Sequence, residues 1–236
     1  WMLVICFKRI DWQPIHWRLH TVRSIFGWAT VTLVFWASSL MALADATAIS
    51  FLTPVVALVL AIVFLGERVG IVRWSAVAIM LFGAMVLLRP GTSAFQPAAL
   101  LALAAAVTSA VESTLIKRLT ALESRLQILV VNNSIGLVIA LSAATLVWRW
   151  PDTLQWVLLA GVGLTMAVAQ VFFLTSMRDG DASFVVPFMY STLLFAGVLD
   201  YVVFGDAPDT WGVVGACIIV AGAIFLALRE SRVSRR

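Results

Sequence analysis

The chain has 236 residues, of which 62% are hydrophobic and only 12% charged, with a mean hydropathy of +1.04. Soluble domains carry about a quarter charged residues, so half that share, spread between long uncharged runs, excludes an ordinary soluble domain. A net charge of +4 and a pI near 9.7 would suggest nucleic acid for a soluble protein, but here Lys and Arg sit between apolar runs and signal orientation in a bilayer, with no nucleic-acid partner.

The opening WMLVICF, followed by Lys8 and Arg9, is expected to be the last turns of a helix that begins before Trp1. It lacks the basic flank and small-residue cleavage site of a signal peptide. A helix crossing the hydrocarbon core needs about 20 apolar residues. Eight such runs follow, at 22–43, 46–65, 71–89, 97–116, 126–148, 154–177, 182–204 and 209–228. The connections are short and carry turn chemistry at Arg89-Pro90-Gly91, Trp150-Pro151-Asp152, Gly180-Asp181 and Ala207-Pro208-Asp209. The pattern predicts an all-α membrane protein, a polytopic helical bundle with no separate soluble domain. Cys6 and Cys217 lie in apolar stretches and give neither a disulfide framework nor metal-ligand spacing.

Fourteen of the sixteen Lys and Arg fall in alternate connections: Lys8 to Arg23, Arg68 and Arg73, Lys117 to Arg125, Arg178, and the tail from Arg229. Arg89 and Arg149 are the other two. Positive charge collects on cytoplasmic loops, so both ends of the chain are expected in the cytoplasm.

Two stretches echo each other. Gly66-Glu67 is followed by Gly83-Ala84 and Arg89; Gly205-Asp206 is followed at the same interval by Gly222-Ala223, then Arg229. Upstream, Asp45-Ala46-Thr47 echoes Asp181-Ala182-Ser183. The two copies lie an odd number of spans apart, so they are predicted to be inverted. Inverted repeats are the build of secondary transporters, whose site lies near the midplane between the halves.

LADATAISFLTPVVALVLAIVFLGERV, residues 43–69, and VVPFMYSTLLFAGVLDYVVFGDAPDTWGVVGACIIVAGAIFLALRE, residues 185–230, resemble the two repeat signatures of EamA-type transporters in the drug/metabolite transporter superfamily. The resemblance implies ten helices in two inverted halves of five, of which this chain lacks the first and most of the second. It divides the chain into residues 1–89, the remainder of the first repeat, 97–228, the second, and 229–236, a basic cytoplasmic tail. It implies a multi-pass carrier of the bacterial inner membrane that moves a small organic metabolite and needs no cofactor. The PF-x-Y and FGDAPD variants look most like the riboflavin and S-adenosylmethionine uptake subgroup. A second copy of the chain stays open as a partner.

Polar residues inside the spans are the candidate site. Pro187, Tyr190, Ser191, Leu194 and Tyr201 fall in one stripe at about 100° per residue. A phenol in hydrocarbon wants a hydrogen-bond partner, so Tyr190 is expected to face other helices or a wet cavity, whereas Tyr201 suits an interfacial belt. Asn132, Asn133, Gln170, Thr108 and Ser109 lie at a matching depth. Amides at one level fit a binding cavity and equally fit interhelical glue. Trp36 is a ring that can stack on a flat ligand. Asp200 reads as a coupling carboxylate or one reaching interfacial water, and so does Glu112, with Lys117 or Arg118 as its expected partner. Pro54 and Pro187 are expected hinges or tolerated kinks. Glu67 is expected to pair with Arg68 or Arg73 first and to act as a gate second. His16 and His20 are expected as titrating surface residues of the first loop. No nucleophile–base pair or motif for an intramembrane enzyme is present, and a channel or a non-transporting scaffold is the alternative to a carrier.

Overall fold

The computed structural model describes residues 12–41, 46, 49–89, 98–145, 150–204 and 210–233. Among them the chain is helical and contains no strand. In order, the elements are α1 (Trp17–Leu40), α2 (Thr53–Leu60) continuing as a π turn (Ala61–Leu65), α3 (Ile71–Leu88), α4 (Ala99–Leu122), α5 (Arg125–Ala144) and α6 (Thr153–Asp179). They are followed by α7 (Ala182–Val185), a 3₁₀ stretch (Val186–Ser191), α8 (Thr192–Phe204) and α9 (Thr210–Val233). Six helical segments are long and apolar enough to cross a bilayer: those starting at Ile71, Ala99, Arg125, Thr153, Ala182 and Thr210. The all-helical architecture predicted from the apolar runs is therefore observed.

The boundaries differ where polar residues join a helix. α1 begins at Trp17 and includes Arg18 and His20, ahead of the predicted start at residue 22. α4 runs on to Leu122 through Lys117 and Arg118, past the predicted end. The span predicted at 46–65 is interrupted, because residues 51 and 52 form a turn before α2. The Pro90-Gly91 and Ala207-Pro208-Asp209 turns, Asp45, Thr47, Gly205, Asp206 and Cys6 lie outside the described residues. Cys217 is a free, exposed thiol.

Local chemistry sets the helix ends. Asp152 caps α6 in a reciprocal box: its carboxylate accepts from Gln155 N at 2.7 Å, while Gln155 Oε1 accepts from Asp152 N at 3.0 Å. Pro54 sits in the first turn of α2, where its missing N–H has no helical partner to lose. Gly66 ends the π turn with φ +68°, the left-handed region that glycine enters without a Cβ penalty.

The chain divides into two compact units, residues 1–25 with 115–180, and residues 26–114 with 181–236. In the first unit α5 packs on α6. Residues 152–169 of α6 are all exposed, and most of them are apolar, as suits a lipid-facing helix. In the second unit α3 packs on α9, with α2 and the 3₁₀ stretch against α3. The seam between α3 and α9 is made by glycines. A Cβ on Gly215 would come within 2.7 Å of Gly83 O and of Leu87, and one on Gly222 within 2.6 Å of Met80 Cγ. Small residues let membrane helices approach this closely. Gly83 and Gly222, which correspond to each other in the sequence echo, thus both serve one helix interface. The core beside this seam holds Ala76, Met80, Ala84, Tyr190, Leu193, Ile219 and Leu226.

Candidate functional site

Two helix breaks face each other within the second unit, one before α2 and one between α7 and α8. In the first break, Pro54 has no N–H to give to the Ser50 carbonyl; the Thr53 hydroxyl donates there instead, at 2.7 Å. The Val56 N–H reaches Leu52 O at 3.1 Å. The Phe51 carbonyl accepts the hydroxyl of Tyr190 at 2.7 Å, and the two rings stack with centroids 5.5 Å apart. In the second break, the 3₁₀ stretch runs through Pro187, and side-chain hydroxyls again serve its carbonyls. Ser191 Oγ donates to Phe188 O at 2.6 Å, and Thr192 Oγ1 donates to Met189 O. Irregular backbone at membrane depth persists only where such groups are satisfied.

Tyr190 is fully buried. The structure therefore places Tyr190, Ser191, Pro54 and Pro187 together at the paired breaks. Trp36 lies four residues before the end of α1 and is 56% exposed. The backbone of Asp200 belongs to α8, and its side chain lies outside the described part. Tyr201 is exposed on the same helix.

In the first unit, Gln170 Oε1 accepts from Asn133 Nδ2 at 2.9 Å, and the same amide donates to Leu129 O. Both residues lie roughly 12–14 Å along their helices from the α5 start and the α6 end. Asn132, one residue away, is half-buried. The Asn133–Gln170 bond is an observation; Asn132 and Asn133 point about 100° apart on the helix, and a lone sequence gives no phase to choose between them.

Glu112 lies ten residues before the end of α4, deeper than predicted because the helix is longer. A Cβ on Gly27 of α1 would come within 3.1 Å of its carboxylate, so the glycine makes room for it. Three residues on, Thr30 donates to Thr108 at 2.8 Å, so α1 meets α4 along a polar strip. Lys117, expected as a partner of Glu112, bonds backbone carbonyls. The ammonium donates to Met177 O at 2.8 Å and Gly180 O at 2.5 Å, where it satisfies carbonyls at the α6 C-terminus. Arg118 is exposed.

The histidines also differ from expectation. His20 is fully buried, and its Nε2 bonds Glu123 Oε2 at 2.9 Å. His16 Nδ1 and its backbone N–H meet Glu123 Oε1 at 3.1 and 2.8 Å, and Gln127 Nε2 donates to Oε2 at 2.9 Å. Gln127 in turn pairs with the backbone of Gln13 at both ends of its amide. Burial pushes the Glu123 carboxyl up, but the His16 backbone N–H and the two imidazoles outweigh it and hold it below the ordinary carboxylate value. Sequence reasoning missed Glu123: its two histidine partners lie more than 100 residues away. Among the described residues no group of His, Cys, Asp and Glu could hold a metal ion.

The EamA-like transporter family model matches residues 1–89 and again 96–228. The chain belongs to this family. An S-adenosylmethionine uptake transporter of Rickettsia felis is 26% identical over 218 residues, covering 92% of this chain and 74% of that protein. A riboflavin transporter of Vibrio cholerae is 30% identical over 230 residues, covering 95% of this chain and 75% of that protein. A crystal structure with 23% identity covers 94% of this chain and 79% of its own at a TM-score of 0.77, and shares the fold. The protein is a multi-pass inner-membrane transporter of small molecules, not an enzyme.

Proposed function

We propose that this chain acts as a secondary carrier that moves a small organic metabolite by alternating access, with its two family stretches acting as inverted halves. The observation that carries the reading is the pair of proline breaks, one from each matched stretch, held together by the Tyr190 hydroxyl on the Phe51 carbonyl. Broken helices at membrane depth are where carriers place exchangeable polar groups. We assign Tyr190, Ser191, Trp36, Gln170 and Asn132 to substrate contact. Pro54 and Pro187 act as hinges, and Asp200 as the coupling carboxylate. The alternation of Lys and Arg supports a cytoplasmic position for both ends of the chain.

The substrate class is a metabolite with a flat nitrogen heterocycle. S-adenosylmethionine and riboflavin, named for the two relatives, both carry one, and amides and aromatic rings are the groups that bind its edges and faces. In proteoliposomes, the carrier shows saturable flux stimulated by substrate on the far side; a channel or scaffold shows neither. Gln170→Leu lowers transport about tenfold at unchanged membrane abundance, as the loss of one substrate hydrogen bond predicts, and Tyr190→Phe, which releases the Phe51 carbonyl from its tie to the second break, lowers it as well. Unchanged kinetics in both variants sinks the assignment of the site.

A further inference from the structure

Glu67 was expected to pair with a neighbouring arginine. It does pair with Arg73, and it also reaches out of the first family stretch into the second. Its carboxylate accepts the backbone N–H groups of Ala182 at 2.8 Å and Ser183 at 3.0 Å, together with the Ser183 hydroxyl. Arg73, at the start of α3, completes the network. Its Nη1 donates to Ser183 Oγ at 2.5 Å and stands 3.9 Å from Glu67, while Nη2 meets the Asp181 carboxylate at 2.8 Å. Ser183 is fully buried, and the Glu67 side chain is 8% exposed. All of these residues belong to one compact unit.

The placement matters as much as the bonds. α2 with its π turn runs from Phe51 towards Glu67, and the segment opposite runs from Asp181 towards Tyr190. The two therefore lie antiparallel, fastened at one end by Glu67 and at the other by Tyr190 on Phe51. Between the fastenings lies the 3₁₀ stretch. Gly66 lets the chain turn so that Glu67 leaves its own helix and presents its carboxylate sideways. A side chain held by a glycine-ended connection is free to swing away without unwinding either helix.

We propose that Glu67 is a gating residue of the transport cycle. In the state seen here its carboxylate closes the end of the α2–α7 pair, and each cycle breaks and remakes these bonds. The inference rests on the carrier reading above. A two-state carrier that opens at one end closes at the other, so loss of the latch must act on the two ends in opposite directions. Simple loosening of the fold acts on both in the same direction.

The test is thiol labelling of the membrane-inserted protein in a Cys6→Ser, Cys217→Ser background. One reporter, Ala182→Cys, stands at the latch. The other, Ala46→Cys, stands beyond the far fastening and is buried against Ala37, Met41 and Ala102. Glu67→Ala is expected to raise the labelling rate at position 182 about tenfold and to lower it at position 46; a tenfold change corresponds to about 1.4 kcal/mol between the two states. Ser183→Ala, which leaves Glu67 in place, should move both rates in the same directions and by less. Rates that stay unchanged, or that rise together at both positions, overturn the gate. Counterflow measured on the unsubstituted chain separates this failure from the other. Saturable counterflow without a reciprocal shift leaves the carrier and removes the gate, whereas a reciprocal shift without counterflow leaves only a two-state latch and removes both the carrier and its gate.

Discussion

The two units of this protein hold their helices by different means. Residues 1–25 with 115–180 are tied by long polar side chains: Glu123 to both histidines and Gln127, Lys117 to the end of α6, and Asn133 to Gln170. Residues 26–114 with 181–236 are packed mainly through small residues. Gly83, Gly215 and Gly222 join α3 to α9, and buried alanines line α2, α3 and α4. Polar ties stabilise only while each donor keeps its acceptor, because an orphaned buried group costs its full desolvation. Glycine seams have no partner to lose, but they tolerate no added atom. The Glu123 network of the first unit should therefore fail by loss of a side chain and by titration, and the α3–α9 seam of the second by gain of a methyl group.

The largest expected effect is at Glu123. Glu123→Ala strands the His20 imidazole and the Gln127 amide in a buried site and should destabilise the protein by about 3–5 kcal/mol, the usual range for removing one member of a buried charged network. The sign of the pH effect follows from its lowered folded-state value. An ionised Glu123 contributes stability in full above the ordinary carboxylate value of 4.5, and that contribution is lost as the pH falls through the lower, folded-state value. Denaturation midpoints in detergent, measured from pH 7 down to pH 3, should fall for the parent protein, and the Glu123→Gln variant should fall less.

Next in size is Gly215→Ala. Its Cβ would press on the backbone of both Gly83 and Leu87, which cannot rotate away. Overpacking of this kind costs about 1–3 kcal/mol. The loss should not vary with pH, and that sharpens the contrast with Glu123. A Gly215→Ala protein whose midpoint matches the parent at every pH would break the comparison. Smaller again is Asp152→Ala, which removes the cap of α6 and should cost about 1 kcal/mol, read as lower helicity of α6 by amide exchange in its first turn.

These contrasts bear on what a sequence alone reveals. The apolar runs placed the helices in order because a bilayer-spanning helix needs about 20 apolar residues in succession and little else competes with that signal. Helix ends were less legible. Lys117 and His20 look like loop residues by polarity, yet both lie within helices because tertiary acceptors satisfy them. The depth of Gln170 and Tyr190 could be counted from their span ends, but their partners could not. Phe51 O is a backbone atom that becomes an acceptor only through the break before Pro54. Gly83 and Gly222 stood out by their echo, whereas Gly215, the most crowded of the three with backbone, has no counterpart in it.

The smallest expected stability effect decides the most about function. Polar pairs between membrane helices contribute on average about 0.6 kcal/mol, because the unfolded chain in the bilayer also finds partners. A double-mutant cycle of Asn133→Leu and Gln170→Leu should return a coupling of about that size in stability. If their bond is only glue, transport per inserted molecule stays at the parent level in both single variants. If Gln170 also meets substrate, its removal lowers transport far beyond what 0.6 kcal/mol accounts for, and Asn133→Leu, which leaves the Gln170 amide present but unoriented, lowers it by less. Asn132→Leu completes the set: as a substrate contact it lowers transport while leaving the stability coupling of its neighbour intact. The ranking Gln170 over Asn132 over Asn133 in transport, against near-equality in stability, is the pattern that a carrier site built on a structural pair must show.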